Sequence, residues 1–224
     1  ANYYDIANIH SINTDSKRDD LYLIKFKKYL AEFGITDKPI WLTENQYGEL
    51  ASEPDDIEVF NQLIARSTVF ALSQGLDKIF YIENWLFWGE MEGSEKTGKE
   101  PPKEQIQGEK DEKIKGPQLQ EAGPNDPTQK TYLNLVAKVN SFDSIETLEE
   151  EYTESDVEHE GASSTIGQYK FMKGDSVVYV LWGKDDLPSE ISGRVKVTDI
   201  YGEAREMDAS DIELTRDVIF VENI

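Results

Sequence analysis

Residues 38–48 read Lys-Pro-Ile-Trp-Leu-Thr-Glu-Asn-Gln-Tyr-Gly. A short apolar run rich in strand formers ends in a carboxylate, then in polar residues and a glycine that break it. Strict alternation puts Ile40, Leu42 and Glu44 on one face and Trp41 and Thr43 on the other. Parallel α/β folds carry their chemistry at the carboxyl ends of buried strands, so a carboxylate there is a candidate catalytic group. The plainer reading is a strand that stops at a solvated glutamate. The flanking sequence discriminates between the two.

Upstream, Tyr3–His10 alternates as a strand, with Ile6, Asn8 and His10 on one face. A helix over about 18–33 is expected from the stripe Tyr22, Phe26, Tyr29, Leu30 and Phe33, with Gly34 as its stop. Downstream, an acidic start around Pro54 opens a helix to about Gln74, with Phe60, Leu63, Ile64, Ser67, Phe70 and Ala71 inward. Lys78–Ile82 is then an almost continuously apolar third strand. Strand–helix–strand–helix–strand with short connections implies parallel βαβ units. Three such strands do not close a barrel, but they fit as its last three. The opening at Ala1, close to a strand, reads as the C-terminal part of a longer chain. In that arrangement Ile6, Ile40 and Leu42 are expected on a barrel-facing surface.

Residues 90–125 are dense in Glu, Lys, Gly, Pro and Gln, and read as a mobile loop within a first domain over residues 1–142. Asp126-Pro127 is an N-cap followed by a first helical proline, for a helix through about Asn140 with Tyr132, Leu135, Val136 and Val139 inward. Residues 143–164 read as an acidic linker. From 165 to 224 the period changes to alternation, with turns such as Lys173-Gly174-Asp175, as in a small antiparallel β-sandwich.

The formal charge is −22, from 45 acidic and 23 basic residues in 224, which excludes a nucleic-acid surface as the expected partner. No apolar run reaches a membrane span, and the chain has no cysteine. His10 and His159 are too far apart in sequence to suggest a metal site, and residues 149–160 lack the ligand spacing of a calcium loop. Neither a metal nor a cofactor is called for.

Taken together, Asn8-Ile9-His10, Trp41-Leu42-Thr43-Glu44 and Tyr81-Ile82-Glu83-Asn84-Trp85 resemble the last three strand ends of the (β/α)8 retaining glycoside hydrolases of clan A. The C-terminal alternating segment resembles the β-domain appended in several of those families. The resemblance implies an α/β fold, the end of a TIM barrel followed by a β-sandwich, acting on an oligo- or polysaccharide with β-linkages. It implies Glu44 as nucleophile, with His10, Tyr47, Glu83, Asn84, Trp85 and Trp88 as substrate-binding residues. The family's acid/base Asn-Glu pair has no match in this chain, so that residue is expected in an N-terminal half of the same barrel. The alternative is a non-catalytic carbohydrate-binding or cell-surface scaffold on a degenerate glycosidase fold. Localisation is left open, with an extracellular or cell-surface setting preferred.

Overall fold

The computed structural model describes residues 4–14, 19–47, 54–81, 126–155, 161–183 and 186–224. Three parallel strands, β1 (Ala7–Thr14), β2 (Ile40–Tyr47) and β3 (Lys78–Tyr81), pair in chain order. Between them run α1 (Leu23–Glu32) and α2 (Pro54–Ser73), and α3 (Pro127–Val139) follows. All three helices cover one face of the sheet. Ala7, Ile40 and Leu42 are buried in one apolar cluster with Leu23, Leu63, Ile64 and Leu135, and Ile9, Ile79 and Tyr81 pack against it.

Local chemistry sets the helix ends. Asp126 caps α3 by accepting from Gln129 N at 3.0 Å, with Pro127 in the first turn, as the sequence suggests. Gly75, at φ +89°, follows α2 in the left-handed conformation that stops a helix. Helix α1 begins at Leu23 and not near residue 18. Leu21 and Tyr22 have positive φ, and the Asp20 carboxylate accepts from Tyr22 N and Ile24 N at 3.3 and 3.0 Å. The turn before the helix is thus held by a side chain that periodicity does not register. Tyr22, Tyr29, Phe33 and Val136 also depart from their expected stripes. Tyr22 precedes the helix, and the other three are exposed.

The six remaining described strands are hydrogen-bonded in one antiparallel sheet in the order β4–β5–β6–β9–β7–β8. They are β4 (Ser144–Glu154), β5 (Ala162–Lys173), β6 (Ser176–Trp182), β7 (Arg194–Thr198), β8 (Ala204–Asp208) and β9 (Ile219–Asn223). Most of the segment read as an acidic linker is therefore the edge strand β4 and the start of β5. Glu146, Glu149 and Glu151 are exposed along this sheet edge, where charge discourages pairing with another chain. Ile145, Leu148 and Tyr152 hold it down, and the Tyr152 ring lies 5.3 Å from that of Phe70. Within the segment read as alternating, Ile212–Leu214 forms no strand but follows a 3-10 turn at Ala209–Asp211, and Leu214 is buried.

The sheet also does not stand apart from the α/β layer. Tyr169, Phe171, Val180, Trp182 and Phe220 enter the same apolar cluster as Phe60, Phe70 and Leu135. A second cluster, with Tyr179, Leu181, Val195, Val197 and Val221, fills the other face. Polar contacts pin the joint. Asp19 takes Arg66 Nε at 3.0 Å and Ser164 N at 2.8 Å, and Asp20 takes Ala162 N at 3.0 Å. Glu150 accepts from Tyr169 Oη at 2.6 Å and from Gln74 Nε2 at 2.8 Å. Asn134 Nδ2 donates to Asp199 O at 2.8 Å, and Lys138 pairs with Glu222. Among the described residues no helix is long and apolar enough to cross a membrane.

Candidate functional site on the parallel sheet

The register of β1 against β2 runs Ala7 to Ile40, Asn8 to Trp41 and Ile9 to Leu42, and then jumps from His10 to Glu44. Against β3, Leu42 pairs Ile79 and Asn45 pairs Tyr81, again with one residue too many on β2. Both neighbours thus register a bulge at Thr43–Glu44. An extra residue in a strand reverses the faces of everything after it. Leu42 and Asn45 are buried, whereas Glu44 is turned outward. This corrects the expected alternation: Glu44 does not share a face with Ile40 and Leu42, which lie under the helices. It shares with His10 the opposite face, which no helix covers among the described residues.

There the His10 Nδ1 and Glu44 Oε2 atoms stand 3.6 Å apart, with the side chains 47% and 49% exposed. That spacing is beyond a hydrogen bond and within the range of an ion pair when the imidazole is protonated. Lower on the same face, Lys78 Nζ lies 4.3 Å from the Trp41 ring centroid, and the Trp41 and Phe80 rings are 6.1 Å apart. The face therefore carries a carboxylate, an imidazole, an ammonium and two aromatic rings. The helix side of β3 is instead sealed by Tyr81, whose hydroxyl bonds Thr68 and whose ring lies 4.7 Å from that of Tyr132. Thr43 Oγ1, in the bulge, is buried without a hydrogen-bond partner among the described residues.

A half-exposed carboxylate beside an imidazole can attack an electrophilic carbon or accept a proton. Of the residues singled out in the sequence, only His10 and Glu44 are brought together here. The Tyr47 side chain and Glu83, Asn84, Trp85 and Trp88 lie outside the described residues, as does the loop at 90–125. Sequence reading missed Trp41, Lys78 and Phe80 as a group, although the alternation already put Trp41 opposite Leu42. It also missed the buried Asp19–Arg66 pair. Burial pushes the Asp19 and Asp20 carboxyls above the usual range, with Arg66 opposing it at Asp19 and backbone N–H donors at both. An arginine inside the apolar stripe of α2 was the available signal.

No protein-family model matches this chain, and no curated protein does. Among solved structures it is similar to a GH30 endoxylanase from Clostridium papyrosolvens C71, with a TM-score of 0.38 at 11% identity over 98% of this chain. The match covers 49% of that enzyme, so the chain spans about half its length. A likeness at this level does not define a family. The described residues define a mixed α/β protein with a parallel and an antiparallel sheet.

Proposed function

We propose that this chain is part of a retaining glycoside hydrolase acting on a β-linked glycan, with Glu44 as the nucleophile. The observation that supports it is the bulge in β2, which turns Glu44 beside His10, midway along adjacent parallel strands, onto the face that no described helix covers. In this reading Glu44 attacks the anomeric carbon and forms a covalent glycosyl-enzyme, and water later releases the sugar. His10 orients the carboxylate or a sugar hydroxyl. Retention needs a second carboxyl group about 5–5.5 Å away to shuttle the proton. Among the described strand residues of this face Glu44 is the only carboxylate, so the acid/base residue is assigned to the remainder of the barrel.

Glu44→Gln tests the proposal in the full-length protein. It keeps the side-chain volume and removes the charge, so kcat for an activated aryl β-glycoside should fall on the order of 10³-fold or more, with KM little changed. Unchanged turnover would overturn the assignment. Absence of hydrolysis by the wild type, with glycan binding retained, would favour the non-catalytic scaffold.

A further inference from the structure

The pairing of β1 with β2 keeps one offset at Ala7–Ile40, Asn8–Trp41 and Ile9–Leu42. It shifts by one residue for His10–Glu44, Ser11–Asn45 and Ile12–Gln46, and returns to the first offset at Thr14–Tyr47. Thr43 is therefore an extra residue in β2, and Asn13 is an extra residue in β1 that takes the shift back. The β3 side agrees: Leu42 pairs Ile79 and Asn45 pairs Tyr81, with one residue too many on β2 between them. The displaced window opens on the His10–Glu44 pair.

The pairing requires neither extra residue. With Thr43 and Asn13 both removed, every pair just named remains, now as one uninterrupted ladder. Glu44 alone would then separate Leu42 from Asn45, so ordinary alternation would keep those two under the helices and Glu44 on the other face. The insertion also has costs. Thr43 Oγ1 is buried without a hydrogen-bond partner among the described residues, and such a hydroxyl is destabilising. The inserted residue of a bulge is also left out of the ladder. What the insertion changes is local shape, because a bulge bends its strand, increases the twist and re-aims the neighbouring side chain. That neighbour is Glu44, half exposed and 3.6 Å from His10.

We infer that Thr43 is a positioning residue, an insertion that serves the site and not the sheet: the bend it puts into β2 sets how the Glu44 carboxylate projects toward a bound sugar. This rests on the reading of Glu44 as nucleophile and adds the residue that aims it. Attack needs the reacting atoms about 3–3.5 Å apart, and a misplacement of about 1 Å costs on the order of 10²-fold in rate.

The test compares the full-length protein with its double deletion of Asn13 and Thr43, and with Thr43→Val, which keeps the side-chain shape and removes only the hydroxyl. Urea unfolding, steady-state hydrolysis of an aryl β-glycoside and the rate of labelling by its 2-deoxy-2-fluoro analogue are read on all three. The double deletion should unfold cooperatively at no lower urea concentration than the wild type and hold KM within a few-fold. It should lose on the order of 10²-fold in kcat and in the rate at which Glu44 is labelled. Thr43→Val should keep kcat within a few-fold. Wild-type turnover by the double deletion would overturn the inference and leave the Glu44 reading intact. So would loss of cooperative unfolding, since Thr43 would then serve the sheet, or an equal loss of kcat in Thr43→Val, since the hydroxyl would then be what acts. A wild type labelled at another carboxylate, or at none, would overturn the Glu44 reading and this inference with it.

Discussion

Arg66 Nε of α2 lies 3.0 Å from Asp19 Oδ1, a carboxylate with no solvent exposure that also holds the start of β5. One ion pair therefore ties the turn after β1, the middle helix and the antiparallel sheet. Removing one partner of such a pair strands a buried charge, at about 3–5 kcal/mol. Asp19→Asn and Arg66→Met should each lower the unfolding free energy by that order. The double variant should fall well short of the sum, and urea denaturation of all four proteins measures the coupling. Additive losses would mean that the pair is not formed.

Asp20 gives this joint a pH dependence. Burial raises its carboxyl above the ordinary range against the backbone N–H groups that donate to it, so the folded state holds the proton more tightly than the unfolded chain. Its contribution to stability is then fully present below the unfolded value of about 3.9 and is lost as the pH rises through the raised folded value. Relative to Asp20→Asn, the wild type should gain stability as the pH drops from 7 toward 4. A difference that is flat in pH, or that moves the other way, would refute this.

Gly167 of β5 leaves room for the Trp182 indole, which is buried and donates through Nε1 to Ser164 Oγ at 3.2 Å. A methyl group at Gly167 would overlap that ring. Gly167→Ala should destabilise by about 1–3 kcal/mol and alter the near-ultraviolet circular dichroism of the tryptophans. Replacement of Gly174, whose added Cβ meets nothing within 4 Å, should leave the indole signal unchanged and register only the strain of its positive φ.

At the start of α3 the Asp126 side chain satisfies the Gln129 N–H. Asp126→Ala should lower stability by about 1 kcal/mol, and Asp126→Ser should restore most of it. Equal loss in both variants would show that the cap is not the cause.

Where local periodicity and final packing agree, the fold is legible in the chain. The Phe60–Ala71 stripe and the Asp126-Pro127 start do in the structure what their spacing implies, whereas Ile40 and Leu42, expected on a barrel-facing surface, lie under the helices. The failures have physical causes. Strand β4 is hidden because an edge strand exposes one side, and Glu146, Glu149 and Glu151 there make it look like solvated linker. The start of α1 is hidden because Asp19 and Asp20 bond backbone groups 142 to 145 residues away. Tyr29, Phe33 and Val136 are apolar without facing the described core, so a stripe count assigns them to the wrong surface. The orientation of Glu44 was hidden for another reason: a single-residue bulge leaves no mark in an alternating pattern, yet it reverses the face.

That bulge is what the functional reading depends on, and one measurement addresses it directly. Incubating the full-length protein with a 2-deoxy-2-fluoro β-glycoside traps the glycosyl-enzyme, and peptide mass mapping locates the modified residue. The expected result is a stoichiometric label on Glu44, and none on the Glu44→Gln protein. A label on Glu83 or any other carboxylate, or steady hydrolysis of the parent glycoside by Glu44→Gln with no trapped intermediate, would contradict it.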